Sequence, residues 1–290
     1  MLILPGQSLW AQIRDFQTTR LNSTAGAGVA SILSTEAAIL NPASSAFFDG
    51  SSFSYQTYDT ALRKKSAART AAADDFPKQN RTTGMFVSDH SGPVKGGVAY
   101  LQQNENNFER ERYTAHGSMA LSTNASLGLR YSFLQDQLPT QYSDHHKTHH
   151  QASIGGTFII DEDTVLGLVV IDPTRTNQGD ERAIAGFQYD VADRFIVIGD
   201  VGTRYTKNVK EKYLWRAAVQ INIFSDLFIR AGRFYDNVTE FKGSGWGVSW
   251  IGPRLGLEFA QKISDKFGDS NYVYKDETLV DTSLSAILKF

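Results

Sequence analysis

The sequence predicts an all-β chain: a 14-stranded antiparallel up-and-down transmembrane β-barrel with a small N-terminal plug (hatch). Three observations predict it. Apolar and polar residues alternate with a period of two, the alternating segments number fourteen, and the links between them alternate between tight and long.

Composition narrows the alternatives first. Lys and Arg total 29 against 31 Asp and Glu, so there is no global basic field to hold nucleic acid, and no nucleic-acid partner is expected. The absence of cysteine excludes disulfide staples, thiolate metal sites and cysteine nucleophiles. Mean hydropathy is -0.30, and no run approaches the roughly 18 to 20 apolar residues of a spanning helix. That excludes a helical membrane protein but not a barrel, in which half of each strand faces away from lipid. Aromatic residues at 12%, 24 Gly and only 7 Pro suit pleated, half-buried surfaces and their turns.

Taken in order, residues 1–11 (MLILPGQSLWA) read as the remnant of an export signal whose start lies upstream, with cleavage near Ala11. Residues 12–48 read as the hatch, and residues 49–290 as the barrel. Within the hatch, residues 18–48 are small, helix-tolerant and mildly apolar, with Ser34 or Thr35 placed to cap a helix before Glu36. Pro42 fixes its own φ and biases Asn41 away from helix, so Asn41, Pro42 and Ala43 form the turn that ends the hatch.

The fourteen strand segments fall near 51–60, 81–88, 94–101, 109–121, 125–134, 149–160, 164–171, 182–189, 194–205, 213–223, 227–234, 243–250, 254–263 and 279–290. Most have the length of about 9 to 11 residues that a tilted strand needs to cross hydrocarbon. In the fifth, Leu127, Leu129, Tyr131 and Phe133 share one lane and Ser126, Gly128, Arg130 and Ser132 the other. Residues 164–171 (TVLGLVVI) break the rule by being apolar on both faces. The tight links 89–93, 122–124, 161–163, 190–193, 224–226 and 251–253 belong to one side of an up-and-down barrel, and the longer polar links to the other. Tyr100, Tyr113, Tyr131, Tyr205, Tyr213 and Trp215 lie beside the long links, and Phe158, Phe195 and Phe290 beside the tight ones, which reads as two interfacial girdles.

Several residues are candidates for a site. Arg130, Arg216, Gln220, Arg230 and Glu258 fall on lumen lanes. Gly96 and Gly97, paired within the third strand, are expected to weaken its ladder and permit a kink. Four histidines stand within His145–His150; at strand spacing His146 and His150 share one side and His145 and His149 the other, and a solvated rim is expected there rather than a metal site. No catalytic constellation and no nucleophile elbow appears, so no enzyme activity, cofactor or metal is expected. The last segment alternates to its final residue through Leu284, Ala286, Leu288 and Phe290, and resembles the signal by which barrel assembly machinery recognises its clients in a Gram-negative outer membrane.

The run Gly26-Ala27-Gly28-Val29-Ala30, followed by Ala37-Ala38-Ile39-Leu40-Asn41-Pro42-Ala43, resembles the N-terminal hatch of the FadL-like long-chain fatty-acid transporters, a family that includes aromatic-hydrocarbon channels and PorV-type barrels. The resemblance implies fourteen strands, a plug ending in Asn-Pro-Ala, a terminal aromatic, and a third-strand kink that opens the wall sideways at Gly96 and Gly97. It further implies passive uptake of a small fatty-acid-like or hydrocarbon-like molecule, with outer-membrane lipid, a hydrophobic molecule or lipid in the lumen, and the assembly machinery as partners. The outer links are shorter than those of the larger transporters of the family, which favours the alternative, a non-enzymatic scaffold barrel that binds an envelope protein.

Overall fold

The structure is a computed structural model, and it describes residues 14–32, 34–64, 80–105, 108–137, 146–176, 180–192, 194–209, 211–267 and 278–290. Its strands are β1 (Ser51–Lys64), β2 (Asn80–Asp89), β3 (Val94–Glu105), β4 (Phe108–Ala120), β5 (Ala125–Gln137), β6 (His146–Ile159) and β7 (Thr164–Ile171). They continue as β8 (Arg182–Val191), β9 (Phe195–Thr203), β10 (Tyr213–Phe224), β11 (Leu227–Asp236), β12 (Phe241–Ile251), β13 (Leu255–Lys266) and β14 (Thr278–Lys289). Each pairs antiparallel with its sequence neighbours, and β14 returns to β1 in the register Thr57 to Leu284, so the wall is closed. Every segment of the sequence reading coincides with one strand.

The two lanes face different surroundings. Leu127, Leu129 and Tyr131 are exposed on the outer surface of β5, whereas Ser126, Arg130 and Ser132 are buried towards the lumen. Val94, Leu168, Val201 and Leu284 extend the outer belt around the wall. Exposed apolar side chains in this number suit a hydrocarbon solvent, and the closed ladder pairs the strand backbones beneath them. Near the long links Tyr100 and Tyr113 have ring centroids 5.1 Å apart, and Tyr213 and Tyr235 5.6 Å apart. Tyr205 departs from the expected girdle: it lies beyond the end of β9, and its hydroxyl donates to the Asp172 carbonyl at 2.6 Å.

Residues 14–48 run inside this wall. They include α1 (Thr19–Ser23), α2 (Ser34–Ala37) and a 3-10 helix (Pro42–Phe47). Thr18 caps α1 by accepting from the Leu21 N–H. The expected helix before Glu36 is only one turn, and the Glu36 carboxylate accepts from Thr18 and Thr35 hydroxyls at 2.7 and 2.6 Å. The apolar lumen lane of β7 now has its reason. Val169 packs with Leu21, Val29 and Leu40 of the inner segment and with Ile184 and Leu214 of the wall, so one strand meets a second apolar surface indoors.

Candidate functional site in the barrel lumen

The site is the space left between the wall and the inner segment, so the seating of that segment comes first. Asn41, Pro42 and Ala43 are wedged at the tight-link end. The Asn41 side chain accepts from the Ala43 N–H at 3.1 Å and donates to the Val29 carbonyl, the Gly156 carbonyl and the Thr157 hydroxyl at 2.8, 3.2 and 3.1 Å. One amide thus caps the 3-10 helix, ties two parts of the inner segment together and anchors both to β6. Two wall glycines make room for it. A Cβ at Gly155 would collide with Asn41 Oδ1, and one at Gly128 with the Pro42–Ala43 peptide. The backbone approaches so closely there that only glycine fits.

Midway along the lumen the Gly26–Ala30 loop is held by a wall carboxylate. Asp200 on β9, 1% exposed, accepts from the Gly28 and Val29 N–H groups at 2.9 and 3.2 Å. Gly26 and Gly28 have positive φ of 88° and 156°, which aims these amides outward as an anion cradle. Arg216 closes the contact by donating to the Gly26 carbonyl at 3.0 Å. Sequence reasoning found Arg216 and missed Asp200, although a lone carboxylate in the apolar run FIVIGDVG was the available signal.

Gln220, Arg230 and Glu258 are brought together. Arg230 donates to Gln220 at 2.7 Å and to the Ser249 hydroxyl, while Glu258 accepts from Ser249 and Ser285 at 3.1 and 2.9 Å. Arg20 of α1 donates to the same Gln220 oxygen at 3.2 Å. This cluster is a cross-wall clamp on the inner segment, and Arg130 lies apart from it on β5.

Above the inner segment, towards the long links, two cavities meet at Asp15, Gln17, Arg182 and Arg216. The first, with about 610 Å³ of empty space, is bordered by Arg14, Tyr58, Lys262 and Asp281. Arg14 bridges Glu105 at 2.8 Å and Asp281 at 2.9 Å. The second, about 570 Å³, mixes Arg112, Arg130 and Asp180 with Phe16, Leu21, Ile39, Leu40, Ile171 and Ile184. Asp15 accepts from Arg182 at 2.8 Å. Desolvation inside the barrel would raise the Asp15 carboxyl, but Arg182, Arg112, Arg110 and Arg216 outweigh it and hold it well below the usual carboxylate range. Desolvation and the neighbouring Asp15 push Asp180 the other way.

The remaining candidates are placed as follows. Gly96 and Gly97 are paired in register to Asp89 and Ser88 on one side and to Gly117 and His116 on the other. Added Cβ atoms would strike the His116 carbonyl and the Val87 carbonyl, so the glycines permit close strand approach. Leu284, Ala286 and Leu288 lie on the outward lane of β14, and Phe290 exchanges backbone hydrogen bonds with Ser51 at 3.0 Å. His145 lies outside the described residues. His149 faces Asp136 at 3.4 Å, and the His150 ring meets the Tyr131 hydroxyl at 2.6 Å, so alternation separates them. No group of three or more metal-ligating side chains is gathered among the described residues.

No protein-family model and no curated protein sequence matches the chain. Solved structures do. The CymD monoaromatic hydrocarbon channel superposes with a TM-score of 0.71 at 11% identity, covering 94% of this chain and 97% of that one. The barrel has a FadL-type fold. The Pseudomonas putida toluene transporter TodX gives a TM-score of 0.70 at 10% identity over 97% of this chain and 100% of its own. A Pseudomonas aeruginosa FadL homologue gives 0.62 at 12% identity over 94% and 98%. At such identities the likeness is one of fold.

Proposed function

We propose that this FadL-type barrel is an outer-membrane channel of a Gram-negative bacterium that passively takes up small hydrophobic molecules, without catalytic groups or a cofactor. The observation that carries the reading is the part-apolar cavity of Phe16, Leu21, Ile39, Leu40, Ile171 and Ile184, held at the long-link end of a closed wall with an apolar belt. The solved barrels of the same fold, a toluene transporter among them, support it. Sideways release near Gly96 and Gly97 belongs to the same proposal, and would require the paired ladder of β2, β3 and β4 to part. Phe290, on the closing strand, is proposed as the end read by the assembly machinery.

A second reading has its own observation. Below the cavities the lumen is tied by Asn41, Asp200 and the Arg230–Glu258 clamp, which favours a barrel that stays shut and presents its rim to an envelope protein. Uptake separates the two. Cells carrying the chain should accumulate radiolabelled toluene or a long-chain fatty acid severalfold faster than a deletion strain. Equal rates for both solutes would remove the channel reading and leave the scaffold, to be pursued by co-purification with an envelope partner.

A further inference from the structure

The cavity beside β4 and β5 holds more cationic donors than the wall and inner segment satisfy. Four guanidinium groups line it, those of Arg112, Arg130, Arg182 and Arg216, against the carboxylates of Asp15 and Asp180. Arg182 is engaged by Asp15 at 2.8 Å, and Arg216 by the Gly26 carbonyl at 3.0 Å. Asp180 accepts from the Gln151 amide at 3.0 Å. Next along the wall, Arg110 is saturated by a two-pronged contact with Asp136 at 2.6 and 2.7 Å. Arg182 keeps one idle donor, its Nε, and Arg130 and Arg112 lack a carboxylate partner altogether among the described residues. Arg130 is 4% exposed and donates once, to Ser153 at 2.6 Å, while its Nε and Nη1 have no partner among the described residues; Arg112 is 6% exposed and its Nε has none there either.

A buried guanidinium with idle donors is costly, and evolution tolerates the cost where a ligand supplies the acceptor. The chemistry of that ligand follows from what surrounds the donors. Idle donors on two guanidinium groups match a carboxylate, whose two oxygens can accept from both. Leu40 and Ile39 of the inner segment, with Ile171, Ile184 and Phe16, supply an apolar wall in the same cavity. The donors and these apolar residues border one cavity, so the acid group and the apolar part of the ligand lie close together. Guanidinium faces also stack on flat π-systems.

We propose that Arg112 and Arg130 form a binding site for the carboxylate of a compact aromatic acid, whose ring lies against Leu40, Ile171 and Ile184. This rests on the reading of the cavity as the solute site of a channel, and it narrows the solutes of that channel to include a ring that carries a carboxylate.

The test is calorimetric titration of the full chain in detergent with benzoate, with toluene as the ring without charge and acetate as the charge without ring. Benzoate should bind saturably at one site, at least tenfold more tightly than either fragment. Arg130→Gln and Arg112→Gln should each weaken it tenfold or more, whereas Arg81→Gln, on the outer rim and paired with Asp59, should not. Arg130→Lys, which keeps the charge and loses the fork, should fall between. Heat-modifiable migration reports whether each variant is folded; if neither Gln variant assembles, the ranking of benzoate over toluene and acetate on the wild-type chain decides. No saturable benzoate binding, or binding indifferent to both arginines, overturns the site. Benzoate binding without solute uptake in cells sinks the channel reading and leaves the site standing; toluene uptake without benzoate binding does the reverse.

Discussion

The two ends of the inner segment are held by opposite means. At the tight-link end the Asn41–Ala43 turn sits against bare backbone, in space that Gly128 and Gly155 leave empty, and its hydrogen bonds are between neutral groups. At the long-link end Arg14 and Asp15 reach the wall through charge, to Glu105, Asp281 and Arg182, beside open cavities. Close packing fails abruptly when a single atom is added, because interiors deform little. Of the charge contacts, the Arg14 pairs with Glu105 and Asp281 are buried, whereas the Asp15 carboxylate is 46% exposed, so solvent and salt compete for its contact alone. The difference is one of packing against charge, and it sets how each end should respond to substitution.

The contrast is open to attack in order of expected effect. Gly155→Val places a branched side chain on the Asn41 amide, and the cost should be on the order of 3 kcal/mol or more; the temperature at which the heat-modifiable band unfolds should drop steeply. A small change would show that the turn is not wedged. Asn41→Ala keeps the space and removes the cap with its wall bonds, for a loss of about 2 kcal/mol, seen as a lower denaturant midpoint. Trypsin should then still leave Arg14 uncut if the long-link end holds by itself.

Asp15→Asn should have the smallest effect, below about 1 kcal/mol at neutral pH, because the carboxylate is partly open to the cavity. Its signature lies in pH. The carboxyl is held below its ordinary value, so its contribution is fully present above about pH 3.9 and is lost as the pH falls further. Acidification from pH 5 towards pH 2 should therefore expose Arg14 and Arg20 to an acid-active protease or labelling reagent in the wild-type chain, with less change in Asp15→Asn. An identical response in both would assign the acid sensitivity to other carboxylates.

Strands and lanes were legible because alternation is local: Leu129 outside and Arg130 inside follow from their neighbours alone. The inner segment was legible at its turn, since an Asn before a Pro announces its geometry in two residues. What was not legible involves partners far apart in sequence. Gly155 reads as any strand glycine until Asn41, more than a hundred positions earlier, is placed against it. Gly96 and Gly97 are similar, since their closeness to the His116 and Val87 carbonyls depends on strands that the pair itself does not announce. Arg130 was placed on the lumen lane by its parity, yet its idle donors and its separation from the Arg230 cluster are properties of a filled interior.

Arg14 has a further consequence for how the molecule is made. Its guanidinium donates to Thr60 on β1 at 2.9 Å while holding Asp281 on β14, and Thr60 and Asp281 are themselves bonded at 2.6 Å across 221 positions of sequence. These two strands form the seam where the wall meets itself. One side chain of the inner segment thus bridges the first and last strands and ties the plug to the closure of the wall. Contacts between such distant positions are the slowest to form, and the clasp that Arg14 supplies becomes available only when the last strand arrives beside the first.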